Sequence, residues 1–508
     1  MRRGKTPARP AAWRRPLRRG FTGPGGGAHR HLDPAPMWRG TSMQVCGLWP
    51  WAAGSGAPNI GAPMGRHLET GEMVCCDVVS WFTDAKLIGN PSAFVMALPA
   101  KGKTTMVWRM IQCLRDFGVL PMVFGDIRPD YVPVIRAMGG QVVRLGGGTG
   151  YLNPLDPGAL PDAVARVERA HAAVLTGAAP DLARAAQLRA AATELRESMR
   201  ARRLLRVTTM VHLSRGEVPD ERERNVLARA LELLDAEHDG VPVMADLLAM
   251  IRSGRRELRE VAICPDADRY AAAIELLEVS LVGIVTGTTF GDMFSQPTSE
   301  PMRLDTPVVF DVSELRSKSE AAQAAALQVC WSYGFGNIGA AQVLADLGLI
   351  DRQLYVLVVD ELHRVLRAGG GTLVEAVDQS TRLNREDGTG TIFVTHTNKD
   401  LLALPRAEDR AKATGFVERA GMVLYGGLPP KEMDAIDQIT PLSQRERQWL
   451  TAWASPPSTN PRTGSREDPN RGRFLIKVGQ LPGIPFKLDL TAAERELQNS
   501  NYRWEETR

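Results

Sequence analysis

Long apolar runs, paired cysteines and a leader-type core segment are all missing from this chain of 508 residues. No run reaches the roughly 18 apolar residues that a membrane-spanning helix needs, which argues against a helical membrane span. The amino-terminal stretch is rich in arginine but has no apolar core, so it does not read as a secretory signal. The six cysteines (Cys46, Cys75, Cys76, Cys113, Cys264 and Cys330) form neither a CxxC pair nor a Cys/His cluster. No zinc site is readable from them, and reduced thiols of a cytosolic protein, mostly in apolar runs, are the simplest account. Internal repeats are absent too.

Charged residues make up 24% and hydrophobic residues 44%, an ordinary globular mix. The length suffices for two or three domains around a large core. The net charge of +4 is a local effect. Residues 1–40 hold ten Lys/Arg against the single acid Asp33. That segment contributes about +9, which leaves about −5 for the remainder. Its Pro/Gly content argues for disorder. It suits nucleic acid or anionic lipid, and equally a non-functional extension, with Met37 and Met43 as alternative starts.

The most specific segment is Ala97-Leu98-Pro99-Ala100-Lys101-Gly102-Lys103-Thr104. The apolar run Ser92 to Met96 leads into it and a helical pattern, Thr105 to Phe117, leads out. Strand, loop and helix in that order place free backbone N–H groups and the positive helix end where a phosphate would sit. In that reading Ala97, Pro99, Ala100, Lys101, Gly102, Lys103, Thr104 and Thr105 line the phosphates. Lys103 reaches the β/γ-phosphates and Thr104 holds Mg²⁺. The pattern GxxxxGK[ST] has alanine, Ala97, as its first residue here. An alanine forced to positive φ there costs on the order of 1 kcal/mol, and nothing if φ stays negative. A plain strand–turn–helix with a surface lysine is the bland alternative.

Downstream, Leu354 to Val359 reads LYVLVV and ends in Asp360-Glu361. A continuous apolar run predicts a central parallel strand buried on both faces. Acids at its carboxyl end fall where open α/β sheets bind ligands. Asp360 then holds Mg²⁺ through water and Glu361 serves as general base; solvated strand-end acids would look the same. A third strand, Thr391 to Val394, ends in Thr395-His396-Thr397, where a polar group senses a γ-phosphate or merely closes a turn. The helical pattern Leu373 to Arg385 carries Arg382 and Arg385, candidates for an arginine finger on a neighbouring subunit's nucleotide, or solvated helix arginines.

Other expected elements are a strand over Met73 to Phe82, strands at Leu120–Phe124, Gln141–Leu145, Pro307–Val312 and Gly421–Tyr425, and a closing hairpin at Phe474–Val478 and Pro485–Leu490. Between them the texture turns helical, with helices predicted at Pro180–Arg206 and from Pro219 to near Gly240. Arg189, Arg196, Arg200 and Arg203 share one helical face, better suited to solvent than to nucleic acid because Glu194 and Glu197 lie beside it. The expected organisation is a basic tail (1–37), a first core part with the phosphate loop (38–158), a helical insertion (159–300), a second core part (301–452) and a linker with hairpin and tail (453–508). The fold class is α/β, a RecA-like P-loop NTPase with a mostly parallel central sheet and a large inserted all-α domain.

With these motifs in place the chain resembles the conjugation ATPases of type IV secretion systems, in particular the TraC-like "ATP/GTP-binding" proteins of actinobacterial mobile elements, within the FtsK/HerA branch of P-loop ATPases. The resemblance rests on NPSAFVMALPAKGKT (90–104), FGDIRPDYV (124–132), GGQVVRLGGGTGYLNPLDPG (139–158), VVDELHRVL (358–366), QSTRLNREDGTGTIFVTHT (379–397), FVERAGMVLYGGL (416–428) and GRFLIKVGQLPGIP (472–485), together with WRGTSMQVCGLWPW (38–51). It covers roughly residues 38–504. It implies a cytoplasmic, ATP- and Mg²⁺-dependent ATPase, a hexamer at a membrane-embedded secretion channel, in peripheral contact with the inner face of the membrane and powering DNA or protein transfer. Lys103 and Thr104 become the Walker A pair and Asp360 and Glu361 the Walker B pair. Thr395 and His396 fall at the sensor strand, where relatives often carry glutamine; Arg419 is a weaker finger candidate. Ala97 and Ala100 depart from the glycine-rich loop, and slow hydrolysis is the expectation. A DNA translocase or coupling protein of the same branch, gripping DNA directly, and a hydrolysis-deficient nucleotide-binding subunit are the alternatives.

Overall fold

The computed structural model describes residues 56–177, 181–362, 388–397, 406–459 and 466–497. The strands, in chain order, are β1 (Pro63–His67), β2 (Met73–Cys75), β3 (Ser92–Met96), β4 (Val119–Asp126), β5 (Gln141–Arg144), β6 (Val308–Asp311), β7 (Leu354–Val359), β8 (Thr389–Thr395), β9 (Met422–Tyr425), β10 (Ser458–Thr459), β11 (Arg466–Glu467), β12 (Arg473–Lys477) and β13 (Ile484–Leu488). Apart from the small β10–β11 ribbon they build one 11-stranded sheet, ordered β2-β1-β13-β12-β9-β3-β8-β7-β4-β6-β5. From β9 to β5 every pairing is parallel. The closing hairpin forms as expected, and through β12 it joins β9 antiparallel and carries β1 and β2 at the edge.

The parallel strands read as apolar runs because both faces are covered. Alternate residues go to opposite sides. Phe94, Phe124, Phe310, Leu357 and Phe393 face one core. Val95, Val123, Val309, Val358 and Ile392 face the other, against Met106, Met110 and Ile111 of the Lys103–Asp116 helix. The first core continues into the helical region. Met210 and Val211 of the Leu182–Arg215 helix, Leu227 of Glu221–Glu237, Leu247 of Met244–Arg252 and Leu281 of Ala267–Val285 belong to the same cluster.

Three local expectations are corrected. Met73 to Phe82 is not one strand: β2 stops at Cys75 and a single helical turn, Ser80–Thr83, follows. Asp77 breaks the run, since its carboxylate accepts the amides of Val79 (2.9 Å), Ser80 (2.7 Å) and Ala62 (2.9 Å). The first long helix runs Leu182–Arg215, past Arg206, because burying Val207, Met210 and Val211 outweighs the low helix propensity of the VTTMV stretch. On that helix Arg203 is not solvated; it is buried and ion-paired with Asp235. The tail, Cys46, Arg382 and Arg385 lie outside the described residues.

Candidate active site

The loop after β3 is tied down from β9. The Gly426 amide donates to Met96 O at 2.8 Å and the Leu98 amide to Gly427 O at 3.0 Å. Ala97 is fully buried, and it fits because its neighbour is glycine: a Cβ on Gly426 would lie 2.6 Å from that of Ala97. Positive φ falls not on Ala97 but on Ala100 (63°) and Gly102 (95°). The penalty considered for Ala97 therefore does not arise there, whereas Ala100 bears a left-handed backbone that costs an alanine ~1 kcal/mol. Gly102 is the N-cap of the Lys103–Asp116 helix, whose first turn has no acid and no side-chain cap. Leading N–H groups at such a helix start lack acceptors within the helix, an arrangement that suits an anion. Thr104 and Thr105 lie half-buried in that turn and Pro99 is exposed beside it.

The two ammonium groups of the loop diverge. Lys103 Nζ donates to Ala97 O at 2.7 Å and Leu98 O at 3.4 Å, and lies 2.8 Å from His396 Nδ1. Lys101 Nζ instead donates to Ser455 O at 2.7 Å and meets Asp468 Oδ2 at 3.0 Å.

β3 and β7 are not adjacent; β8 runs between them. The end of β8 supplies the bridge. His396 Nε2 is 3.3 Å from Glu361 Oε2. An ammonium only donates, so Nδ1 must accept from Lys103, which leaves the ring proton on Nε2, at ion-pair distance from the carboxylate but outside hydrogen-bond geometry. Amine, imidazole and acid thus form a continuous polar chain across three strands. Glu361 also pairs with Arg128 Nη1 at 3.6 Å. Its backbone is left-handed (φ 52°), and its N–H donates to Asp360 Oδ1 at 2.7 Å. Strain of this kind at a non-glycine residue is a feature of functional sites.

Asp360 is half-buried, and desolvation first, then the charge of Glu361, pushes it up to about 6. Beneath it lies a second carboxyl that sequence reasoning missed. Asp126, at the end of β4, accepts the amides of Tyr131 (2.7 Å) and Asp130 (3.2 Å). Burial raises it well above the usual carboxylate range, despite those two bonds. Tyr131, completely buried, lies against both acids. The available signal was the strand-end acid in FGDIRPDY, which needed the neighbouring strand to acquire meaning.

Among the described residues no cluster of three His, Cys, Asp or Glu side chains could by itself hold a metal ion. Mg²⁺ keeps several waters and takes one or two protein oxygens beside substrate phosphates. The Thr104 hydroxyl and Asp360 carboxylate are such hard oxygen donors.

The sheet order, the glycine-capped loop and the strand-end acids define an α/β RecA-like P-loop fold. No protein-family model matches the chain, and no curated protein matches it in sequence. Among solved structures, VirB4 of Thermoanaerobacter pseudethanolicus is similar, with a TM-score of 0.62 at 17% identity over 86% of this chain and 99% of that one. The plasmid coupling protein TrwB in complex with ADP and Mg²⁺ matches at a TM-score of 0.42 and 11% identity, over 79% of this chain and 86% of its own. At such identities the likeness to VirB4 is one of fold, and the likeness to TrwB is too distant to argue from.

Proposed function

We propose that the chain is the ATP-binding and ATP-hydrolysing motor of a conjugative or type IV secretion apparatus, powering DNA or protein transfer. The observation that carries this reading is the polar chain from Lys103 through His396 to Glu361, with steps of 2.8 and 3.3 Å. It brings the phosphate loop and the acids of β7 together at one place, and positioning is what phosphoryl transfer to water depends on. The VirB4-like fold and the motif resemblance support the secretion context. In this reading the motor is cytoplasmic and hexameric, in peripheral contact with the membrane at the channel, and residues 159–300 form an inserted helical domain. Among the described residues no helix is long and apolar enough to cross a membrane.

In mechanism, the amides of Gly102 to Thr105 and the Lys103 ammonium bind the β- and γ-phosphates of ATP. Lys103 exchanges the carbonyls of Ala97 and Leu98 for phosphate oxygens as it does so. Thr104 and Asp360 would hold Mg²⁺, which offsets negative charge on the phosphates. Glu361 accepts the proton of the attacking water. His396 orients Glu361 and registers the γ-phosphate through Lys103. Arg382 and Arg385 are the candidates for a finger reaching a neighbouring subunit's nucleotide.

Steady-state ATP hydrolysis by the wild type, Lys103→Ala and Glu361→Gln tests the reading. The wild type should turn over, and Glu361→Gln should bind ATP while losing about 10²–10⁴-fold in rate. Lys103→Ala should lose binding. Equal background rates in all three would exclude a motor and leave a non-hydrolysing subunit.

A further inference from the structure

Lys101 belongs to the phosphate loop by position, yet its contacts are with the carboxyl-terminal part of the chain. Its ammonium is buried, held by Ser455 O at 2.7 Å and Asp468 Oδ2 at 3.0 Å. Its carbonyl accepts from the Gly472 amide at 3.0 Å. Asp468 is itself fixed, taking the Asn470 amide on its other oxygen at 3.1 Å. Farther along the same loop-proximal helix, Arg109 Nη1 pairs with Glu494 Oε2 at 2.7 Å, and Arg109 Nε donates to Pro63 O at 2.9 Å. Residues 468–494 therefore grip the loop and its helix at two places, hundreds of residues from either in sequence.

The residue before Lys101 is Ala100, the one loop residue other than glycine with a left-handed backbone. An alanine there favours other conformations, so the loop shape must be held from outside. Lys101 is the next residue and is anchored at both its main-chain and side-chain ends.

We propose that Asp468 is a positioning residue of the nucleotide site: acting through Lys101, it holds Ala100 in the left-handed form that shapes the phosphate cradle, replacing the freedom a glycine would give. This rests on the nucleotide-binding reading above. The segment between β11 and β12, which carries Asp468 and Gly472, is then part of the nucleotide site as well as the lead into the sheet.

The test is equilibrium binding of Mg·ATP to the full chain, with thermal unfolding measured alongside. Asp468→Ala should raise Kd about tenfold, since it leaves a buried ammonium without its counter-charge. Ala100→Gly in that background should recover about fivefold, the equivalent of ~1 kcal/mol of relieved strain. A merely structural Asp468 would not be rescued by a change at residue 100. Wild-type affinity in Asp468→Ala, beside lost affinity in Lys103→Ala, overturns the positioning role and leaves the nucleotide reading standing. Weakened binding that Ala100→Gly does not recover also overturns it. A wild type that binds no ATP ends both. If Asp468→Ala fails to fold, Asp468→Asn, which keeps the shape and loses the charge, is read by the same criteria.

Discussion

The imidazole of His396 joins Lys103 to Glu361, 2.8 Å from the amine on one side and 3.3 Å from the carboxylate on the other. A single residue at the end of β8 therefore spans the strand that separates the loop from the acids. It can transmit the arrival of a phosphate only if both of its ring nitrogens are engaged.

That requirement predicts the behaviour of substitutions at position 396. His396→Ala should lower kcat by about tenfold or more while changing the Kd for ATP less, because Glu361 loses its orienting partner and the cradle stays. His396→Gln, with one donor and one acceptor, should retain most of the rate. Single-turnover rates and ATP titrations on both variants decide it; an alanine variant as fast as the wild type would remove His396 from the mechanism.

The loop alanines should prove unequal. Ala97 keeps negative φ and fills the space against Gly426. Ala97→Gly should therefore leave the Kd for ATP within about threefold and lower the unfolding midpoint by a few degrees through the lost buried methyl. Gly426→Ala should weaken ATP binding, and adding Ala97→Gly should restore it. Binding measurements on the two singles and the double test this; a Gly426→Ala chain that binds normally would contradict the packing account.

A buried ion pair under the hairpin predicts a pH response. Lys477 Nζ lies 3.1 Å from Glu446 Oε1, both side chains almost wholly buried. Burial alone would raise the Glu446 carboxyl, but the amides of Ser443 and Gly483 and the Lys477 ammonium together hold it below its ordinary value. The folded state thus binds this proton less readily than the unfolded state. Its contribution is present above the ordinary glutamate value of 4.5 and disappears as pH falls through the lower folded value. Glu446→Gln should be clearly less stable than the wild type at pH 7, with the gap closing toward pH 3. Glu446→Ala should cost about 3–5 kcal/mol at neutral pH by leaving Lys477 buried without its counter-charge. Urea unfolding across that range measures both.

If the nucleotide is shared between subunits, as finger roles for Arg382 or Arg385 demand, specific ATPase activity should rise with protein concentration before levelling. Mixing wild type with an Arg382→Ala/Arg385→Ala chain should then poison activity more than dilution accounts for. A specific rate independent of concentration, measured across the range in which the oligomer dissociates, would count against composite sites.

Much of the fold was legible. LYVLVV with its terminal acids, SAFVM before GKT, and the hairpin around Pro482-Gly483 carry their structures locally, because burial on both faces demands apolar runs and turns demand particular residues. The Met73 to Phe82 segment was not, because one carboxylate, Asp77, captures three amides and ends the strand. Asp126 looked like any strand-end acid until β4 was placed beside β7, and Lys101 looked like a phosphate ligand until Asp468 was found against it.

Sequence by itself determined the elements and their chemistry: which strand ends in a lysine loop, which in paired acids, which in a histidine. Those follow from periodicity, capping and residue type, all local properties of the chain. Only the tertiary structure decided that β8 lies between the other two strands, that positive φ falls on Ala100 instead of Ala97, and that the segment leading into β12 reaches back to the loop. Strand order and long-range contact are settled by closing two faces of one sheet at once, and no short stretch of residues contains that information.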